Sequence, residues 1–138
     1  MKKKYINPTT LPDWSGMFSQ VVTIEHEGLL FVHLSGQVGV NANKDLAGSG
    51  DLKDQTKQAF SNLQMALSSV NAQFSDVVKM TIYVVNYRYE HASIIKEELE
   101  KYFQEGQLPA LSLIGVAALA DERFLIEIDA EAVCLDAQ

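Results

Sequence analysis

Three carboxylates spaced two apart near the C-terminal end, Glu127, Asp129 and Glu131, are the residues of this chain best placed to do chemistry. They alternate with Ile126, Ile128, Ala130 and Ala132. A period of two is the signature of a β-strand, whose successive side chains point to opposite faces. Such a strand would bury its Ile/Ala face and line the acids along the other, neighbours roughly 7 Å apart. Carboxylates so spaced raise one another's pKa, more so when partly buried. A carboxyl poised that way can trade a proton with bound water, as a general acid/base does. A solvated outer face would give the same pattern, so the acids alone leave both readings open.

Other chemical signals are weaker. Gly48-Ser49-Gly50 precedes a helical pattern as phosphate loops do, but Asp51 follows it, and a carboxylate there repels phosphate. Ser35-Gly36-Gln37 lacks the flanking glycine of a nucleophile elbow. His26, His33 and His91 show no i,i+3 or i,i+4 pairing, so no metal site and no cofactor are expected. Cys134 reads as a small apolar residue finishing a strand.

The elements that must position these residues follow from periodicity. Residues 20–27 and 29–35 read as strands joined by a tight Glu27-Gly28 turn. Gly and Asn make 36–50 a loop. Asp51 is a candidate N-cap for a helix reaching about Asn71, with Leu52, Phe60, Leu63, Leu67 and Val70 on one face. Residues 77–85 alternate as a strand. Residues 90–104 form a second helix, striped by Ile95, Leu99, Tyr102 and Phe103, with Lys96 and Glu100 an i,i+4 pair. Strands over 109–119 and 124–133 flank a turn at 120–123. The expected fold is α+β: a mixed sheet with two helices packed on one face, order ββαβαββ. Both faces of 110–119 are mostly apolar, so both are expected to be covered, one of them by another copy of the chain.

With 138 residues the chain is expected to form a single domain, 1–138, with an irregular arm over 1–14. Lys and Arg number 11 against 18 Asp and Glu, a net charge of −7, and three of the cations are the consecutive Lys2, Lys3 and Lys4. That balance opposes binding to nucleic acid or to anionic membrane surfaces. No apolar run approaches the ~20 residues of a membrane span, and no apolar stretch follows the lysines as in a signal peptide. A lone cysteine allows no intrachain disulfide and fits a cytoplasmic location.

Several segments together resemble one family. Gly16-Met17-Phe18-Ser19-Gln20-Val21-Val22 is similar to the G-P-Y-S-Q-A-V segment of the Rid family (YjgF, "endoribonuclease L-PSP"). Leu34-Ser35-Gly36-Gln37-Val38 resembles its S-G-Q-[IV]. Gln55-Thr56 and Asn62-Leu63 stand where its first helix carries Q-T and N-[LI]. Residues 77–84 resemble V-[VI]-K-x-T-V-[FY]-[VL], Pro109-Ala110 stands at its P-A-R, and 125–130 at [IL]-[VI]-E-I-[ED]-A. The resemblance covers about 14–133. It implies a chorismate-mutase-like fold and a homotrimer with small-molecule clefts between subunits.

The resemblance also implies site residues, and departures among them. RidA-type members hydrolyse 2-imino and enamine acids, and the P-A-R arginine holds the substrate carboxylate. Leu111 stands there in this chain, and an aliphatic side chain cannot replace a bidentate guanidinium. Phe18 replaces the family's tyrosine, Lys96 its helix asparagine and Leu113 its cysteine. Glu127, at the family's water-positioning glutamate, is retained with Ser35 and Gly36. Glu127 is therefore the candidate catalytic residue, with Phe18, Ser35, Gly36, Lys96, Leu111 and Leu113 as candidate substrate contacts. The expectation is a deaminase-like hydrolase of an imine or enamine that is not a standard 2-iminobutanoate/2-iminopropanoate deaminase. The alternative is a non-catalytic small-molecule binding trimer. The acidic charge argues against the ribonuclease activity in the family's name.

Overall fold

The computed structural model describes residues 1–137. The arm expected to be irregular over 1–14 contains a strand, Lys2–Ile6 (β1), antiparallel to Val21–His26 (β2). Three consecutive lysines hide it from a reading by propensity. It exists because its backbone completes a ladder, pairing Lys2 with Glu25 and Ile6 with Val21. Lysines on an edge strand also discourage pairing with a further chain.

Glu27 and Gly28, at φ of 52° and 80°, form the two-residue turn into Leu29–Val38 (β3). Two positive φ values match the twist of a tight hairpin. Asp51 caps Leu52–Ser68 (α1), its carboxylate accepting from the Asp54 amide at 2.8 Å. The helix stops short of the expected Asn71, which lies just beyond it at φ 60°, outside helical space. Val77–Val85 (β4), His91–Tyr102 (α2), Ala110–Val116 (β5) and Ile126–Leu135 (β6) complete the chain. The observed order is therefore βββαβαββ.

The sheet runs β1-β2-β3-β6-β4-β5. β6 lies between β3 and β4 and is antiparallel to both, while β5 lies at the edge, parallel to β4. A parallel neighbour needs a crossover, which α2 supplies. Residues 117–125 consequently do not close a β5–β6 hairpin. They pass the end of β4, where the Val85 amide bonds the Leu125 carbonyl and the Asn86 amide that of Val116.

Both helices share one core with one face of the sheet. Phe60, Leu63 and Leu67 of α1 and Ile95 of α2 are buried with Val21, Val32, Met80, Ile82, Ile126 and Ile128. The mixed α+β architecture expected from the sequence is the one observed. On β5, Leu111 and Ile114, on opposite faces, are 37% and 41% exposed, so neither face is fully closed within one chain. A second small cluster, Val38, Val40 and Phe124, forms beyond the far end of β3.

Candidate functional site

β6 turns Ile126, Ile128, Ala130 and Ala132 into the core, which leaves Glu127, Asp129 and Glu131 on the opposite face. What singles out Glu127 is a β-bulge in the neighbouring strand. Leu34 pairs with Ala130 and Gln37 with Ile128, so Ser35 and Gly36 together span one position of β6. Gly36 then lies against the Glu127 side chain. A Cβ on Gly36 would sit 2.5 Å from the Glu127 carboxyl carbon and 2.7 Å from its Cγ and Oε2. The space a methyl group would take is filled by the carboxyl.

Glu127 opens into a cavity of about 450 Å³. Trp14 and Phe18, from the loop before β2, and Phe124, from the turn before β6, supply its aromatic walls; Gly36 and Val38 of β3 supply another side. Asp13 and Asp121 add carboxylates at its margin. A groove of about 550 Å³ between the C-terminal ends of α1 and α2 is larger, but among the described residues no Asp, Glu, His or Cys lines it. Among the described residues no three His, Cys, Asp or Glu side chains are grouped to hold a metal.

Buried amides hold the cavity walls. Gln20 donates to the Pro12 carbonyl at 3.0 Å and accepts from Gln37 at 2.8 Å, tying the 12–20 loop to the strand just past the bulge. Ser35 Oγ donates to the Ser19 carbonyl at 2.5 Å. Gln55, fully buried in α1, donates to the Gly50 and Arg123 carbonyls and accepts from the Leu125 amide, each at 2.9 Å, which fixes the turn carrying Asp121 and Phe124. Asn62 donates to the Val38 and Val40 carbonyls at 2.9 and 2.8 Å. Gln20, Gln37, Gln55 and Asn62 position others, and each lies in a segment that carries the family resemblance without a role of its own, whereas Ser35, expected to contact substrate, holds the Ser19 carbonyl.

Glu127 and Asp129, neighbours on one face of β6, differ in surroundings. Asp129 is hydrogen-bonded by Thr81 and, at 3.5 Å, by the Tyr83 hydroxyl, contacts that favour its charged form. Burial nevertheless pushes its pKa upward. Glu127 is raised by burial first and by the charge of Asp129 second. Among the described residues none hydrogen-bonds its carboxyl, so a proton or a water is its natural partner. The Cys134 thiol is pushed up, mainly by burial and then by Asp76 and Asp136, which keeps it protonated and unreactive. His33 faces solvent 3.8 Å from Glu131, away from the cavity.

Of the residues read from sequence as site candidates, Phe18, Gly36 and Glu127 meet at the cavity, with Ser35 in the bulge beside them. The others do not join them within one chain. Leu111 and Leu113 pair with Met80 and Ile82, which are fully buried, so they belong to the helix-covered face. Glu127 pairs with Tyr83 on the opposite face. Lys96 sits on α2, its side chain 77% exposed and 3.8 Å from Glu100, the i,i+4 pair that its spacing gives. Trp14, Val38, Asp121 and Phe124 were not read from sequence as site residues; they come from loops and a strand end whose convergence has no periodic signal.

Residues 9–134 match the family described as endoribonuclease L-PSP. The chain belongs to that family, also called Rid. Rid proteins similar to it include the 2-iminobutanoate/2-iminopropanoate deaminase of Dermatophagoides farinae, 33% identical over 85% of this chain and 86% of that one. The mouse protein of the same name is 32% identical over 95% and 91%. Among solved structures, a Rid-family protein of unknown function from Yersinia pestis, YyfB, aligns at a TM-score of 0.73 with 37% identity, covering 97% of this chain and all of the other.

Proposed function

We propose that this Rid protein is a hydrolase of a small imine or enamine, working in clefts between the subunits of a homotrimer, and that it is not a standard 2-iminobutanoate/2-iminopropanoate deaminase. One observation carries the reading: Glu127 is half-buried, without a hydrogen-bond partner, with its pKa raised, and seated over Gly36 in an aromatic-walled cavity. A carboxyl in that state can take a proton from water as the water oxygen bonds to the imine carbon. The same proton then goes to the nitrogen of the resulting carbinolamine. The carbinolamine hydroxyl then gives its proton to the Glu127 carboxylate, which passes it to the departing nitrogen as the C–N bond breaks, so a carbonyl and ammonia form and one water is consumed for each C=N bond hydrolysed.

The departure from the standard deaminase rests on Leu111. Deaminase activity on 2-imino acids requires a cation for the substrate carboxylate, and an unpaired buried carboxylate costs about 3–5 kcal/mol. Because Leu111 and Glu127 lie on opposite faces of one sheet, the reading needs the β5 edge of a second copy to approach the cavity. The exposed edge strand supports such an approach.

The test uses 2-iminobutanoate generated in place by a threonine dehydratase, with keto-acid release followed in time. The wild type is expected to leave the rate near its uncatalysed value, Leu111→Arg to raise it, and Glu127→Gln in that background to abolish the gain. Strong acceleration by the wild type refutes the departure, no gain in Leu111→Arg refutes the cleft, and a monomer by light scattering refutes the trimer.

A further inference from the structure

The walls of the Glu127 cavity carry a chemical bias of their own. Among the described residues its charged groups are the acids Asp13, Asp121 and Glu127, and no Lys or Arg lines it. Two cations stand close by, each engaged with a residue of the wall. Arg123 holds Asp121 through two hydrogen bonds, of 3.1 and 3.0 Å, and Lys44 lies over the Trp14 ring at 4.3 Å from its centroid. Asp13 is held ionised by Ser15, whose hydroxyl and amide both donate to it, at 2.6 and 2.9 Å. The remaining walls are the rings of Trp14, Phe18 and Phe124.

Aromatic faces and carboxylates in one concavity make the environment that selects organic cations, since the ring quadrupole and the anions attract the same charge. Lys44 shows that the Trp14 ring already holds an ammonium group. An anionic ligand would meet the same carboxylates, with Arg123 engaged by Asp121 and Lys44 stacked on Trp14.

We infer that the Glu127 cavity takes a carboxylate-free organic cation, an ammonium or iminium group on an apolar body, with the nitrogen toward Glu127 and the body against Trp14, Phe18 and Phe124. The inference names the substrate class of the proposed hydrolase and rests on the reading that this cavity is its cleft. It departs from the imino acids that the names of the deaminase relatives specify.

Three probes of matched shape test it on the full chain at neutral pH: benzylammonium, benzyl alcohol and phenylacetate, titrated by calorimetry and by amide shifts of residues around the cavity. Benzylammonium is expected to bind about tenfold or more tighter than phenylacetate, and tighter than the alcohol. Glu127→Gln should shrink that preference at least about threefold. Trp14→Leu, a change in a partly exposed loop residue, should weaken the amine without creating affinity for the acid. Phenylacetate binding as well as the amine, amine and alcohol binding alike, or no binding at millimolar concentration each overturns the inference. Selectivity for the amine without turnover of any imine would sink the hydrolase reading and leave this one standing. Efficient turnover of 2-iminobutanoate with phenylacetate preferred would do the reverse.

Discussion

Replacing Gly36 by Ala isolates the Glu127 arrangement from the stability of the fold. The new Cβ would lie 2.5–2.7 Å from three atoms of the Glu127 side chain, where carbon contacts settle at about 3.5–4.0 Å. The carboxyl must therefore move by about 1 Å or more, and the open side is the cavity. Gly36 is not among the residues of positive φ, so the backbone accepts alanine. Pushing Glu127 into a poorer rotamer costs about 0.5–1.5 kcal/mol, and replacing glycine gains back about 0.4–1 kcal/mol through the unfolded chain. The net change is within about 1 kcal/mol, or about 4 °C in Tm at this length. The carboxyl, by contrast, loses the burial that raises its pKa. Carbon-detected titration of Glu127 should place its midpoint above the ordinary glutamate value in the wild type and closer to that value in Gly36→Ala. An unchanged midpoint with an unchanged Tm would show that the glycine does not set the carboxyl's place, and would refute the reasoning.

Glu127→Gln bears on pH. A carboxyl whose folded pKa is raised binds its proton more tightly when folded, so its contribution is full below the ordinary glutamate pKa and is lost as pH rises through the raised value. Gln stays neutral, so the Tm of the variant relative to wild type should climb across that window; a falling difference contradicts the shift. Gly39→Ala should be far worse than Gly36→Ala, because its Cβ would meet Gln55 Cβ at 2.5 Å and Cα at 2.6 Å, and a helix backbone cannot step aside. A loss of about 1–3 kcal/mol in urea denaturation is expected. Gln55→Ala strips the partners from the Gly50 and Arg123 carbonyls and the Leu125 amide. It should cost about 2–4 kcal/mol and speed amide exchange at Leu125; exchange as slow as in the wild type would show that the turn holds without it.

How far the sequence reaches depends on how local each signal is. The alternation at 126–132 and the stripes of α1 and α2 are set by residues a few positions apart, and those elements stand where periodicity puts them. β1 escaped because its lysines carry no strand preference and its cause is a ladder to residues about twenty positions away. The placement of β6 between β3 and β4 is a matter of topology, which no window of sequence contains. In the site, Glu127 was legible as one of three alternating acids, and family resemblance distinguished it from Asp129 and Glu131. The physical distinction, a glycine opposite one acid and hydroxyl donors beside another, appears only when β3, β4 and β6 are paired.

The extra residue at Ser35–Gly36 also decides which way the strand beyond it faces. Beyond the bulge Gln37 turns inward, 2% exposed, to meet Gln20, and Val38 turns toward the cavity. Were Ser35 and Gly36 both paired one to one with β6, the register beyond them would slip by one residue and reverse both side chains at once, sending an amide outward and a valine toward the Gln20 side. Deleting one of the two would instead leave Gln37 opposite Ile128 and Val38 opposite Glu127, with a single residue opposite Asp129. Among variants of this protein, loss of one residue at 35–36 should therefore keep the Gln37–Gln20 bond while changing what lies against the Glu127 carboxyl.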